Sequence, residues 1–167
     1  MDTEKFFKQA MQSSWGLTKL NFLLKRFIPF NSPHGFHITE LTPDSATTKI
    51  PYIRKNMNHL KGLHACCLAT ATEYTSGIAL GNKFGLSKYR LIMKTLSMEY
   101  VYQGKMEAFV KYHIPQNIIE SIEKFEIGDQ DKLLITCEVK TFDIEKNHLC
   151  TGTIEWQLKK WNKVRTR

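Results

Sequence analysis

The sequence predicts an α+β domain in which an antiparallel sheet wraps around one long helix. Three observations carry that prediction. Residues Ala65 to Leu80 are mostly small side chains, with a single acid, Glu73, among them. The segments on both sides alternate apolar and polar residues, as half-buried strands do. A helix of such low side-chain volume cannot cover a flat sheet, but it suits a sheet that curves around it.

Residues 3–28 read as one or two amphipathic helices. Phe6, Phe7, Ala10 and Met11 fall at helical spacing, then Trp15, then Leu20, Leu23, Leu24 and Phe27, and Gly16 is the expected break between the two. Lys19, Lys25 and Arg26 interleave with these, so a helix lying on a membrane surface is the alternative to one packed on the fold's own sheet. Pro29 and Pro33 are expected to stop the helix and set an extended entry. His34 to Leu41 and Ala46 to Ile53 read as a hairpin around the turn residues Thr42-Pro43-Asp44-Ser45. The loop from Arg54 to Leu63 leads into the central helix, which Gly81-Asn82-Lys83 is expected to end. Strands are expected over Tyr89–Tyr102, Met106–Ile114, Leu133–Val139 and Leu149–Leu158, and Ile119 to Phe125 reads as continued strand or a short turn.

At 167 residues the chain suits one domain with a real core. An apolar share of 42% and a charged share of 24% are ordinary and exclude a disordered or low-complexity chain. The organisation expected is an N-terminal helical extension over 1–30, a main domain over 31–158 and a basic tail over 159–167. Cys66, Cys67, Cys137 and Cys150 show no metal-ligand spacing, so no metal and no cofactor are called for, and reduced buried thiols are expected. No secretory start and no run of about 20 apolar residues appears, and the reading is a cytoplasmic chain without a membrane span.

The net charge of +8 owes much to the last nine positions, which hold Lys159, Lys160, Lys163, Arg165 and Arg167. A solvated terminus is the favoured reading and a nucleic-acid contact the weaker one, because no recognition-helix or aromatic RNA-binding pattern accompanies the charge. Arg54, Lys61, Lys83, Lys88 and Arg90 lie around the two ends of the central helix, where they form a solvated rim or receive the phosphates of a substrate.

Chemistry is expected where Asn58-His59-Leu60-Lys61-Gly62-Leu63-His64 turns into the helix. A carboxylate within a small-residue helix is costly to bury unless it has partners or work to do. His64 and Glu73 are nine positions apart, about 900° of helix and roughly 13 Å of rise. On one helix they point in opposite directions and can meet only across a two-fold axis.

Asn58, the turn, His64 followed by small residues, and the acid nine positions later together resemble the hotdog fold. The closer similarity is to its acyl-CoA thioesterase superfamily, in the phenylacetyl-CoA thioesterase-like branch and its uncharacterised, domain-of-unknown-function relatives. The resemblance covers roughly residues 30–158. Two departures stand out: Lys61 occupies the usual place of the turn glycine, and His64-Ala65-Cys66 stands for His-Gly-Gly. The resemblance implies a homodimer, with pairing into tetramers open, whose site lies between subunits. It implies a thioester of coenzyme A or of acyl-carrier protein as substrate. Glu73 is then the general base for water, with direct nucleophilic attack the weaker alternative, Asn58 orients the water or the carbonyl, and His64 is a candidate side-chain catalyst. The backbone N–H groups of Ala65 and Cys66, at the helix N-terminus, receive the oxyanion. Thr70, Thr72, Tyr74, Thr75 and Ser76 are candidates to tune Glu73 by hydrogen bonds. The same residues also have bland readings. Glu73 can be a structural acid, His64 a satisfied helix-start residue, and Asn58 a turn residue. A non-catalytic hotdog module that binds an acyl chain is therefore the alternative function.

Overall fold

The computed structural model describes residues 3–164. Two helices open the chain, α1 (Thr3–Gln12) and α2 (Ser14–Phe27). The break falls at Ser13, whose side chain caps α2 by accepting the Gly16 N–H at 3.0 Å. Gly16, the expected break, is instead buried inside α2. A Cβ there would lie 2.0 Å from the Gln9 carbonyl oxygen, so glycine is what lets the two helices touch. Pro29 and Pro33 do not set an extended entry. They lie in a 3-10 turn over Pro29–His34, which Pro29 opens because the fixed φ of proline suits the first turn of a helix, and Pro33 lies inside it.

β1 (His37–Thr42) and β2 (Ser45–Ile50) form the expected hairpin, with the second strand ending short of Tyr52. The central helix α3 spans Ala65–Phe84. It runs through Gly81, where a Cβ would stand 2.8 Å from the Leu86 side chain, and stops at Gly85 with φ +83°. β3 (Tyr89–Tyr100) and β4 (Ala108–His113) follow. Residues Gln116–Ile127 form α4, correcting the expectation of strand or turn there. Ile118, Ile119, Ile122 and Phe125 bury one helical face, and Pro115 and Gly128 bound it. β5 (Lys132–Asp143) and β6 (His148–Lys160) complete a six-stranded sheet.

All pairings are antiparallel, in the order β1-β2-β4-β5-β6-β3. α3 packs against β2, β3, β4, β5 and β6, and most of its residues are buried. This is the expected hotdog arrangement. Close approach is set by small residues on both sides: a Cβ on Gly152 of β6 would stand 3.0 Å from the Thr72 hydroxyl of α3. Trp156 lies under Gly77 and donates its indole N–H to Ser76 at 3.0 Å.

The two outer strands are treated differently. α1 and α2 pack on β1, where the buried Asn21 accepts the Ile38 N–H at 2.7 Å and donates to the Ile38 carbonyl at 2.9 Å. One amide side chain thus imitates a strand partner. β3 pairs with β6 on one side only, and most of its twelve residues are exposed or half-buried. At the end of β6, Lys160 donates to the carbonyls of Glu126 and Gly128, and beyond it Lys163 pairs with Asp131 at 3.6 Å. Arg165 and Arg167 of the basic tail lie outside the described residues.

Candidate functional site

The loop before α3 is held by two asparagines. Asn56 is fully buried. Its Oδ1 bonds the His34 ring at 2.9 Å, its Nδ2 donates to the carbonyls of His34 and Pro51, and its own carbonyl accepts the His64 N–H at 2.7 Å. This residue, unremarked in the sequence reading, fixes where α3 begins. Asn58 accepts the N–H groups of Leu60 and Gly62 on Oδ1, at 2.9 and 3.0 Å. Its side-chain oxygen is thus spent on the turn, and its Nδ2 has no hydrogen bond among the described residues. Lys61 has φ +58°, the left-handed conformation that suits the glycine usual at this position. The Tyr52 hydroxyl donates to the Lys61 carbonyl and braces the turn.

His64 is the N-cap of α3. Its Nδ1 accepts the Cys66 N–H at 3.1 Å. The Cys66 N–H is therefore occupied in this state, whereas the Ala65 N–H has no hydrogen bond among the described residues. Cys66 is exposed. Cys67 is buried, and desolvation pushes its thiol up to about 12, so it is inert at neutral pH.

One face of α3 is left open by the sheet. Cys66, Ala69, Thr70, Glu73 and Gly77 lie on it and form one wall of a cavity of about 540 Å³. Leu91, Met93 and Leu96 of β3 and Trp156 of β6 form the apolar opposite wall. Ile28, Phe30 and Asn31, from the turn after α2, close one end. Glu73 is the one acid lining this cavity among the described residues. Burial raises its carboxyl from the usual range to about 7. Its side chain has no hydrogen bond or ion pair among the described residues.

The proposed tuning of Glu73 by neighbouring hydroxyls is not seen. Thr70, Thr72 and Thr75 donate to the carbonyls of Cys66, Ala69 and Ala71, and Ser76 donates to the backbone carbonyl of Glu73. Helix-interior hydroxyls bond back onto the preceding turn. Tyr74 lines the cavity without touching the carboxylate by a hydrogen bond. Desolvation alone sets the state of Glu73.

Asn58 and His64 do not line this cavity. Asn58 lies on a separate hollow of about 330 Å³ with Ala65, Tyr100 and Gln103. Within one chain Glu73 and Asn58 thus lie on two different hollows along α3, and His64 lines neither. The basic residues also divide. Arg54 and Lys61 are exposed near the start of α3. Lys83 pairs with Asp44, Lys88 with Glu126 at 3.1 Å, and exposed Arg90 stands opposite Lys159, all toward its far end. Asn31, only 8% exposed and lining the Glu73 cavity, was missed, because Asn31-Ser32-Pro33 reads in sequence as no more than a turn.

Comparison with known proteins bears on this arrangement. The family described as a domain of unknown function, DUF4442, matches residues 17–158. No curated protein matches the chain. Among solved structures, a Pseudomonas aeruginosa protein of unknown function called a probable thioesterase is similar at 22% identity and a TM-score of 0.76, over 86% of this chain and 95% of that one. A Haemophilus influenzae thioesterase is similar at 13% identity and a TM-score of 0.69, over 86% and 90%. A mutant thioesterase from Pseudomonas aeruginosa is similar at 12% identity and a TM-score of 0.69, over 86% and 94%. At these identities the likeness is one of fold.

Proposed function

The chain belongs to the DUF4442 family, and from this fold and its cavity we propose that it hydrolyses an acyl thioester, with Glu73 as general base in a site shared by two subunits. The observation that carries the proposal is the solitary Glu73 carboxyl in an apolar cavity on the open face of α3. A purely structural acid would have a partner to offset its burial, and this one has none among the described residues.

In the proposed reaction Glu73 takes a proton from water, and the water oxygen attacks the thioester carbonyl. The charge that develops on the carbonyl oxygen is received at the start of the partner's α3, by the free Ala65 N–H and by Cys66 N–H if His64 turns away. The carbon–sulfur bond then breaks, and the proton held by Glu73 passes to the departing thiolate. The free amide Nδ2 of Asn58 orients the carbonyl or the water. Leu91, Met93, Leu96 and Trp156 hold the acyl group, and the phosphates of the carrier lie against Arg54, Lys61, Lys83, Lys88 or Arg90. A panel of acyl-coenzyme A esters of graded chain length tests this reading. Turnover of none of them would leave the binding module, which the engaged Cys66 N–H favours.

The shared site requires a homodimer. The bare edge of β3 supports one, since two such edges can pair and continue the sheet. Light scattering is expected to give twice the chain mass at micromolar concentration. A strict monomer would remove the shared site.

The pH dependence has a definite sign. With Glu73 at about 7 in the folded protein, the carboxylate that acts as base forms only as pH rises through that value, so kcat/KM should climb from pH 6 to 8. Stability moves the other way. The folded-state value lies above the unfolded one, so the contribution of Glu73 is fully present below about 4.5 and is lost as pH rises through about 7. Rate profiles and denaturation midpoints measured over the same pH range check both.

A further inference from the structure

The face of α2 turned away from the sheet is apolar and cationic together. Trp15, Phe22, Phe27 and Phe30 are 66%, 73%, 56% and 69% exposed, an unusual concentration of bare aromatic rings in one segment. Phe6, Trp15, Phe22 and Leu23 line an open groove of about 440 Å³ between α1 and α2. Lys19 lies on the same groove with its ammonium 5.3 Å from the centre of the Trp15 ring, and Lys25 and Arg26 follow in the last turn. α2 contains no acid, and none of Lys19, Lys25 and Arg26 forms an ion pair among the described residues. At the end of this segment Phe30 is also part of the wall of the Glu73 cavity.

We propose that the exposed face of α2 and the following turn is a docking surface for anionic phospholipid bilayers. Aromatic rings flanked by unpaired cations are what a helix lying in the headgroup region needs. Charge decides between the lipid and a second copy of the chain, because a second copy would set Lys19, Lys25 and Arg26 against the same three cations. No helix among the described residues is long and apolar enough to cross a membrane, so the contact is peripheral. Docking would hold the Phe30 end of the cavity at the bilayer, where long acyl groups partition. The surface is independent of whether Glu73 hydrolyses anything.

The test is sedimentation of the full chain with vesicles of phosphatidylcholine alone and of an equimolar mixture with phosphatidylglycerol. Binding is expected to the mixed vesicles only and should weaken as salt is raised. Trp15→Ser and Phe22→Ser should each weaken it roughly tenfold or more. Lys19→Glu with Lys25→Glu and Arg26→Glu should abolish it. These side chains are exposed, so cooperative unfolding of the variants, checked by circular dichroism, should match wild type. In a Trp161→Phe background, the mixed vesicles should shift the tryptophan emission to the blue, and Trp15→Phe should remove the shift. The proposal is overturned by failure to bind mixed vesicles, or by variants that bind as well as wild type. Dissociation of the dimer by Phe22→Ser would overturn it too, since the face would then belong to the second copy.

Discussion

Glu73→Gln should lower thioester turnover by roughly 10²–10⁴-fold, the usual worth of a positioned general base. The amide keeps the size of the side chain and its place in the cavity but cannot take a proton from water. Acyl-coenzyme A should still bind, since the acyl walls and the basic rim are unchanged, so the loss should fall on kcat and leave KM nearly as it was. The variant should also lose the fall in stability between about pH 4.5 and 7, because no desolvated carboxyl is left to ionise. Loss of turnover together with that flattened stability profile would tie both effects to one group. Unchanged hydrolysis in Glu73→Gln would make His64 the next residue to test, its Nδ1 acting as base once it releases the Cys66 N–H.

Trp156→Ala should cost about 3–5 kcal/mol, the typical loss for a large buried aromatic. The indole fills the space between β6 and Gly77 and satisfies the Ser76 hydroxyl, so truncation leaves a void and an unmade hydrogen bond together. A fall in melting temperature of roughly 6–20 °C would follow in a domain of this size. Ser76→Ala separates the contributions. It removes the hydrogen bond and keeps the ring, and about 1 kcal/mol should be lost. A Trp156→Ala variant that melts within a degree or two of wild type would show that α3 is not held from this side.

Sequence reading located the central helix because its composition is extreme: hardly any helix can be so small in side chain and so buried unless a sheet surrounds it. The strands after it were legible by alternation, most cleanly in Ile135, Cys137 and Val139, each buried with an exposed neighbour on either side. α4 was hidden by its isoleucines. Ile118, Ile119 and Ile122 are strand formers by preference, and the helical spacing that overrides this becomes decisive only with Phe125. Gly81 was misread as a stop because glycine marks both helix ends and close packing, and here it serves the second. Of the site, Glu73 was legible as a lone acid among small residues. The engagement of Asn58 in its own turn, the capping by His64 and the hydroxyls bonded to preceding carbonyls are matters of rotamer and local geometry, which residue type alone does not specify. Asn31 reaches the cavity only because the 3-10 turn after α2 folds back on β3 and α3, a long-range event without a local signature.

The amide that Asn21 presents to Ile38 limits how large an assembly this sheet can build. A sheet open at both margins is a monomer for linear growth: each added copy exposes a fresh margin, and nothing ends the chain. Here one margin is already terminated from within, by a side chain that takes up both the donor and the acceptor of Ile38 beneath a helical cover. Each molecule therefore brings a single reactive end. In the proposed dimer two such ends would consume each other, and addition along the sheet would halt at the pair.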